Sequence, residues 1–521
     1  MTTTTLAEGQ RDAAGVDAAG GYRPPPAGGI GRVLNWDLTQ PLSFAALAIG
    51  YIISRAPFIN IGYGTDPDAW RVALSGYWLW DNSEFYPSRL PGYPVPEFAS
   101  AAVIKGEWLA TNALTVAISL VGLWLLAQIV NKLALPNRAL VVVGFAFTPL
   151  LWINSMTTMD YMWALTFLLG CYYFLLNRNT SIAGVMLGLA TASRPTSILM
   201  LLPFAIYLIR DGKGGEMRDF VVWAVGIPVF AYVPVVWRYG PGFLNFYDAK
   251  VWYLNVLRLL GKDTLGLIGA IAVLACAALS LPRLVRLPVD AVRDKNVQVW
   301  VVAIVVGVLV FLRLPHESAY LIPIYPFGFF VMAKYFARGV LVAAIGAIVL
   351  AGFVDLTSPG DEINARAFTH ARLGEGLVLS NRSTMKTQLD FTHDLERLDV
   401  QHHSVVMLGF SYPQFAVLNR DRLQLGILDK DRGSISQLSD KGQAVDATRD
   451  ITYVWLLEYD RFKKFLEGGY TIYFTQDAGR STEALYDFRP GLYNDPAKNN
   501  VRLIDIGRGP AGSSGAARTD R

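Results

Sequence analysis

The chain has 521 residues, of which 53% are hydrophobic and 17% are charged, with a mean hydropathy of +0.33. This composition is too apolar for a soluble protein of this length and too charged for a purely intramembrane one, so it predicts a multispanning membrane protein with a sizeable water-exposed part. The formal net charge of +4 is small and no dense basic tract is present, which argues against nucleic acid as a partner. Both cysteines, Cys171 and Cys276, fall inside apolar runs, so a disulfide framework or a thiolate metal site is not expected.

The amino-terminal residues 1–31 are rich in Thr, Ala, Gly and Pro and have no apolar signal-peptide core, so they predict a disordered cytoplasmic tail. Apolar runs then recur through residues 32–356 and predict about eleven transmembrane helices, two of them short. The predicted spans are 41–57, 108–130, 139–153, 160–176, 181–192, 196–209, 219–237, 264–281, 298–312, 318–333 and 339–356.

Basic residues mark every second connection between these runs, as Lys132 with Arg138 and Lys334 with Arg338 illustrate. Because Lys and Arg are retained on the cytoplasmic side, this alternation predicts a cytoplasmic amino terminus in a multi-pass protein of the plasma membrane. The first long connection, residues 58–107, is then placed outside the cytoplasm together with everything that follows the last span.

This first outer loop has an unusual composition between Gly62 and Phe98, with several Trp and Tyr and a dense Pro/Gly run. Its charged residues include Asp66, Asp68 and Arg89. Long ordered loops tend to carry function, whereas plain connectors between membrane helices are short. We therefore interpret the segment as an active-site loop at a membrane surface.

Further charged residues fall on the same predicted outer face. Arg194 lies between the two short spans, where it faces either an anion or the interface by snorkelling. Asp160 begins the fourth span, where helix capping alone is an alternative to function. Arg313 and His316 are flanked by aromatic residues and suit a phosphate head group, although a structural hydrogen bond between His316 and Glu317 is the simpler explanation.

The character of the chain changes after residue 356, where charge density rises and long apolar runs end. Short β-like runs at 404–410, 451–457 and 470–474, with a helical pattern between the last two, predict a small extracytoplasmic α/β domain over residues 357–506. Residues 507–521 are rich in Gly, Ser and Ala and predict a disordered tail.

In layout, residues 30–356 resemble the GT-C superfamily of polytopic glycosyltransferases, which use polyprenyl-phosphate sugars as donors. The motifs that carry the resemblance are P-D-A-W-R at 67–71, S-R-L-P-G-Y-P at 88–94, A-S-R-P-T at 192–196 and R-L-P-H-E-S-A-Y-L-I-P at 313–323. The resemblance implies a catalytic carboxylate in the first outer loop, which maps onto Asp68 with Asp66 as the second candidate, and a further acidic residue at Asp160. The sequence departs from the aminoarabinose and mannosyl branches at Ala69, which replaces Glu, and at Arg89-Leu-Pro-Gly, which replaces Lys-Pro-Pro.

The implied activity is inverting transfer of a sugar from a polyprenyl-phosphate donor to a hydroxyl of a glycan, lipid or protein acceptor, on the outer face of the bilayer. An Asp base deprotonates the acceptor, and cations stabilise the departing phosphate. The residues expected to bind the donor phosphate are Arg194, Arg313, Arg89 and His316. Those expected to bind substrate are Asp160, Arg71, Tyr93, Glu317 and Tyr320. A divalent cation, Mg²⁺ or Mn²⁺, held by Asp66 and Asp160, is a further expectation.

Two other classes of function fit the same residues. A transporter or flippase of lipid-linked sugars would line its pathway with them, but such proteins commonly show inverted repeats and charges near the bilayer centre. No internal repeat is visible, and the charges gather at the outer ends of the spans. A catalytically inactive relative whose outer domain binds a partner is the third possibility.

Overall fold

The computed structural model describes residues 29–212, 214–240, 243, 253–357, 372–427, 442–479 and 500–504. The predicted tails therefore lie outside the described residues, except that residues 29–31 begin the first helix. The helices are α1 Gly29–Leu34, α2 Pro41–Arg55, α3 Pro67–Asn82, α4 Pro94–Val103, α5 Glu107–Lys132, α6 Arg138–Ala146, α7 Pro149–Asn154, α8 Tyr161–Leu176, α9 Thr180–Ser193, α10 Leu201–Arg210, α11 Gly214–Ala231, α12 Val233–Tyr239, α13 Tyr253–Leu260, α14 Lys262–Leu265, α15 Leu267–Leu279, α16 Leu281–Leu284, α17 Leu287–Arg293, α18 Lys295–Arg313, α19 Tyr325–Tyr335, α20 Arg338–Leu350, α21 Leu377–Glu396, α22 Tyr412–Leu418 and α23 Tyr459–Glu467.

Helices occur at the positions of the predicted spans, but their lengths differ from the prediction. Two helical stretches in the described part of the chain, Pro94–Lys132 and Lys295–Arg313, are long and apolar enough to cross a membrane, and two bent pairs of helices would raise that number to four. The other apolar helices have 10–17 residues. The mainly helical, membrane-protein character is thus confirmed, whereas the count of about eleven spans is not.

The segment predicted as a long outer loop is largely helical, because α3 and α4 occupy most of it. Pro67 and Pro94 are the first residues of these helices. The backbone nitrogen at that position makes no hydrogen bond within the helix, so proline is tolerated there. The side chain of Asp66 caps α3 by accepting a hydrogen bond from the backbone N–H of Asp68 at 2.9 Å. These residues at the helix starts therefore explain why a segment with a loop-like composition forms ordered helices.

A small α/β domain follows the helical part, as the alternating strand and helix patterns predict. The strands are β1 Val354–Thr357, β2 Arg372–Glu375, β3 Ser404–Met407, β4 Gln424–Ile427, β5 Gly442–Asp446, β6 Ile451–Val454, β7 Thr471–Thr475 and β8 Val501–Ile504. The main sheet has six strands in the order β4-β5-β6-β3-β7-β8; β6, β3, β7 and β8 pair in parallel, whereas β5 pairs antiparallel with both β4 and β6. Strands β1 and β2 form a separate antiparallel pair.

The α/β domain is docked on α3 and on the turn that precedes it. Helix α22 packs against α3, and Arg420 pairs with Glu107 at 3.0 Å. From α21, Asn381 and Gln388 donate hydrogen bonds to the hydroxyl and carbonyl oxygens of Thr65, each at 2.9 Å. The residues just before Asp66 are therefore held by the carboxy-terminal domain as well as by the membrane helices.

One feature of the α/β domain predicts a pH dependence. The Nδ1 atom of His403 lies 2.5 Å from a carboxylate oxygen of Asp450, and its Nε2 atom lies 3.1 Å from the carbonyl oxygen of Gly468. Both partners accept hydrogen bonds, so the imidazolium satisfies them best, and the hydrogen bonds to Asp450 and then to Gly468 raise the pKa of His403. This stabilisation is complete below the ordinary His pKa and is lost as pH rises through the raised value.

We therefore expect the backbone amide of Thr471, which donates to the His403 carbonyl, to exchange with solvent more readily as pH rises from about 6 to 8, after correction for the intrinsic rate. Hydrogen exchange with mass spectrometry measures this. His403→Asn is the control, because Asn tolerates a positive φ such as the 60° of His403. An equal pH effect in both proteins would exclude His403 as its source.

Candidate functional site

The candidate site is built from the ends of helices that meet beside the first turn of α3. Asp66 lies at the N-cap of α3 and Asp68 in its first turn. Asp160 is the N-cap residue of α8, Arg194 is the C-cap residue of α9, and Glu317 precedes the short 3-10 helix Ser318–Ile324. Helix ends leave backbone groups unpaired and end apolar packing, so charged side chains can be accommodated there.

Five charged side chains in this region form one continuous network of ion pairs, which we call the ion-pair centre. Its members are Asp68, Arg71, Arg89, Asp160 and Arg194. Asp68 accepts from Arg71 and from the Nε atom of Arg89, both at 2.8 Å. Arg89 also pairs with Asp160, whose other oxygen lies 2.6 Å from Nη1 of Arg194. Asp160 is only 2% exposed, so these are buried pairs.

Aromatic rings cover the three guanidinium groups. Arg194 lies between Tyr161 and Tyr320, at 4.3 Å and 4.5 Å from the two ring centres. Arg89 lies 3.9 Å from the ring centre of Tyr93. Such cation–π contacts stabilise partly desolvated guanidinium groups and fix the plane that each one presents.

Beside the ion-pair centre lies a carboxylate cluster formed by Asp66, Asp68 and Glu317. One oxygen from each of them lies within 4.8 Å of the other two. Carboxylate oxygens are the ligands that the hard cations Mg²⁺ and Mn²⁺ prefer, and this separation is small enough for one ion to draw the three oxygens into its coordination shell. Glu317 is oriented by the hydroxyl of Tyr161, which donates to it at 2.5 Å. The donor set and spacing therefore fit a divalent cation.

The electrostatics of the two carboxylates of α3 differ. Burial raises the pKa of Asp66, and the neighbouring Glu317 and Asp68 raise it further. Burial also acts to raise the pKa of Asp68, but Arg89 and Arg71 outweigh it and hold that pKa below its ordinary value. Asp68 is thus ionised, whereas ionising Asp66 is unfavourable unless a positive charge approaches.

The structure brings together most of the residues that the sequence singled out, but not in all the predicted combinations. Arg71 is a member of the centre, Tyr93 and Tyr320 contact its guanidinium groups, and Glu317 belongs to the adjoining carboxylate cluster. Asp160 was expected to share a metal ion with Asp66. In the structure the carboxylates that lie within 4.8 Å of Asp66 are those of Asp68 and Glu317, and Asp160 pairs with Arg89 and Arg194.

The two remaining predicted phosphate ligands, Arg313 and His316, lie at the end of α18 and shortly after it. Arg313 is at the exposed carboxyl end of that helix. His316 is half-buried next to Glu317, and burial lowers its pKa, against the opposing effect of Glu317. A neutral His316 would contribute hydrogen bonding but little charge to an anion.

Three residues with structural importance were not identified from the sequence. Tyr161 stacks on Arg194 and orients Glu317; its place directly after Asp160 was the available signal. Glu97 is buried and accepts hydrogen bonds from the backbone and hydroxyl of Ser88, next to Arg89. A carboxylate in an otherwise apolar helix was the signal there. Trp455, from the α/β domain, lies 4.2 Å from the Arg71 guanidinium, and no local pattern announces that contact.

The fold and this centre together define an integral membrane protein with buried, charged side chains at the ends of its helices and an α/β domain docked on them. One family model matches the chain, that of the GPI transamidase subunit PIG-U, over residues 93–239. The match spans well under half of the chain and includes Asp160 and Arg194 but neither Asp66 nor Asp68. No curated protein matches, and no solved structure matches.

This family match corrects one prediction from the sequence. The chain was expected to be an enzyme, a glycosyltransferase, but the family that it matches is described as a subunit of a transamidase and not as a glycosyltransferase. The resemblance was drawn from short motifs around charged residues. Such motifs report which side chains lie near a membrane surface, and a binding protein needs the same side chains as an enzyme. The membrane character of the protein is supported by both the match and the apolar helices.

Proposed function

We propose that this protein is a non-catalytic membrane subunit that binds a phosphate-linked glycolipid at the ion-pair centre, with a divalent cation in the carboxylate cluster. The observation that carries the proposal is the charge content of the site. Four carboxylates, those of Asp66, Asp68, Asp160 and Glu317, face three guanidinium groups. With all four ionised, the site has an excess negative charge and would repel an anion.

A divalent cation reverses that balance. Asp66, Asp68 and Glu317 would hold it, and its two charges would leave the site with one net positive charge, which complements a phosphodiester. The raised pKa of Asp66 agrees with this requirement, because burial and the negative charges of Glu317 and Asp68 outweigh the opposing effect of Arg89 there. The guanidinium groups of Arg89 and Arg194 are held in place by Asp160 and by tyrosine rings, so they are arranged before a ligand arrives.

The lipid and sugar parts of the proposed ligand follow from the surroundings. The centre is at the ends of apolar helices, and we propose that a lipid-borne phosphate enters it from the bilayer. The matched family is described as a subunit of GPI transamidase, and GPI is itself a phosphate-containing glycolipid. For this chain we propose binding of a polyprenyl-phosphate sugar or a similar glycolipid, for use by a partner protein.

The finer topology belongs to the same proposal. We propose about eleven spans, with some of the short helices crossing as broken or tilted segments. The basic connections place the amino terminus in the cytoplasm and the ion-pair centre with the α/β domain on the outer side of the plasma membrane.

A transporter of lipid-linked sugars is disfavoured by one observation. Asp66, Asp160, Arg194 and Glu317 all occupy cap positions at helix ends, so the charges gather at one level and do not follow a path along the helices. Movement of a fluorescent polyprenyl-phosphate sugar between the leaflets of vesicles containing the purified protein would contradict this interpretation.

The central prediction concerns metal-dependent binding. The methyl diester of a short-chain polyprenyl phosphate should bind to the full-length protein in detergent at least about tenfold more tightly with Mg²⁺ than with EDTA. Asp68→Asn and Glu317→Gln should abolish this difference, because each removes a charged ligand of the cation. Isothermal titration calorimetry measures both affinities.

Asp81→Asn is the matched control, because Asp81 lies on the same helix but is exposed and pairs only with Lys105 among the described residues. It should retain the full effect of Mg²⁺. Equal binding of the diester with and without Mg²⁺ in the unmodified protein would contradict the proposal. So would transfer or hydrolysis of the sugar from a polyprenyl-phosphate mannose by the purified protein.

A further inference from the structure

The main sheet of the α/β domain contains a crevice of the kind at which open sheets bind ligands. Strand β3 is followed by α22, whose Phe415 packs on Tyr453 with ring centres 4.6 Å apart. The neighbouring strand β6 is followed by α23, whose Phe462 packs with Val405 and Val454 on the opposite face. The two helices thus leave in opposite directions, and in such sheets ligands bind in the gap between the carboxyl ends of the two strands.

This crevice opens toward the ion-pair centre. Trp455 is the first residue after β6, and its ring lies 4.2 Å from the guanidinium of Arg71. Arg71 in turn pairs with Asp68. Helix α22, which follows β3, packs on α3. The carboxyl edge of the sheet and the first turns of α3 therefore form two walls of the same region.

The loop at the mouth of the crevice is tightly constrained. Gly409 has a φ of 56°, and a Cβ atom there would lie 2.7 Å from a carboxylate oxygen of Asp477. Its N–H donates to the Trp455 carbonyl, and the N–H of Phe410 donates to Asp477, both at 3.0 Å. The half-buried rings of Phe410 and Trp455 are thereby held with their centres 5.3 Å apart.

Hydrogen-bond donors around this region lack acceptors. In the described part of the chain, the buried Nε1 of Trp455, Nε2 of Gln414 and Nε of Arg71 have no hydrogen-bond partner. Gln414 and Arg71 are only 6% and 8% exposed. Buried N–H groups are rarely left unpaired, and a ligand that is rich in acceptor oxygens would pair these three donors.

We propose that this crevice binds the sugar ring of the glycolipid whose phosphate occupies the ion-pair centre; the inference thus rests on the proposed function. A sugar has hydroxyl oxygens that accept from N–H donors and a C–H face that packs on aromatic rings. The carboxy-terminal domain then selects the sugar, and the helical domain binds the phosphate.

The experiment compares two ligands of equal charge, the methyl diester and the mannosyl diester of the same short-chain polyprenyl phosphate, on the full-length protein with Mg²⁺. The mannosyl diester should bind more tightly. Trp455→Phe keeps the ring and Gln414→Met keeps the length, but each removes an N–H donor. Each variant should bind the mannosyl diester about three- to tenfold more weakly than the unmodified protein does and leave the affinity for the methyl diester unchanged.

Arg420→Gln serves as the control, because it weakens the domain contact at Glu107 without removing a crevice donor; its gain from the sugar should equal that of the unmodified protein. If the methyl diester binds but the mannose adds no affinity, the crevice assignment is wrong and the phosphate site stands. If Trp455→Phe and Gln414→Met weaken both diesters equally, the crevice assignment is also wrong. Failure of the methyl diester to bind the unmodified protein would instead refute the proposed function.

Discussion

Asp160→Asn should lower the free energy of unfolding by about 3–5 kcal/mol, since it removes the negative charge from a buried ion pair and leaves the positive partners in place. Asp160 is 2% exposed, and it is the carboxylate that pairs with Arg194. Arg89 retains Asp68, but Arg194 is left with the rings of Tyr161 and Tyr320. The loss should appear as a lower melting temperature of the purified protein in detergent.

Two further variants separate this electrostatic effect from a change of shape. Asp81→Asn breaks an exposed pair with Lys105, and its effect should stay below about 1 kcal/mol. Adding Arg194→Met to Asp160→Asn should recover part of the stability, because the unpaired buried charge is then absent. A melting temperature for Asp160→Asn within error of Asp81→Asn would show that the pair contributes little to the fold.

Much of the fold follows from local signals in the sequence. The strands at Ser404–Met407, Ile451–Val454 and Thr471–Thr475 lie where short β-branched runs predict them, and helix Tyr459–Glu467 lies between the last two as predicted. The helical nature of α3 was missed, although Asp66 and Pro67 form a capping pair that indicates a helix start. There the dense Trp, Tyr and Gly content obscured a helical pattern.

The site was predictable in its members but not in its connections. Asp68, Asp160, Arg89 and Arg194 each stand out as charges next to apolar segments, which is a local property. Their partners depend on how distant helix ends meet. The sequence suggested phosphate as a partner of Arg194, which stays a prediction, but it did not indicate the contact of Arg194 with the carboxylate of Asp160, 34 residues away.

Contacts between the two domains were the least predictable. Arg71 and Trp455 are separated by most of the chain, and neither residue type specifies the other. The same holds for Thr65, which is bound by Asn381 and Gln388. These contacts result from the docking of a sheet edge on α3, a tertiary property that composition and periodicity do not encode.

Helices α9 and α11 approach each other closely at two glycines of α9. In α9, Gly184 and Gly188 face α11 with the small-residue spacing that lets membrane helices pack closely. A Cβ atom at Gly184 would lie 2.4 Å from the carbonyl oxygen of Phe220, and one at Gly188 would lie 2.9 Å from that of Trp223. Backbone atoms cannot rotate away, so any side chain there must separate the helices.

Gly184→Ala should therefore destabilise the protein by about 1–3 kcal/mol, although alanine is the better helix former. The matched control is Gly226→Ala on α11, where a Cβ atom would meet nothing within 4 Å, and it should be neutral or stabilising by up to about 1 kcal/mol. Because α9 ends at Arg194, we also expect Gly184→Ala to weaken Mg²⁺-dependent binding of the methyl diester, whereas Gly226→Ala should not. Thermal melting and calorimetry on the two variants measure these effects. Equal stability of Gly184→Ala and Gly226→Ala would show that the α9–α11 contact yields easily and does not fix the position of Arg194.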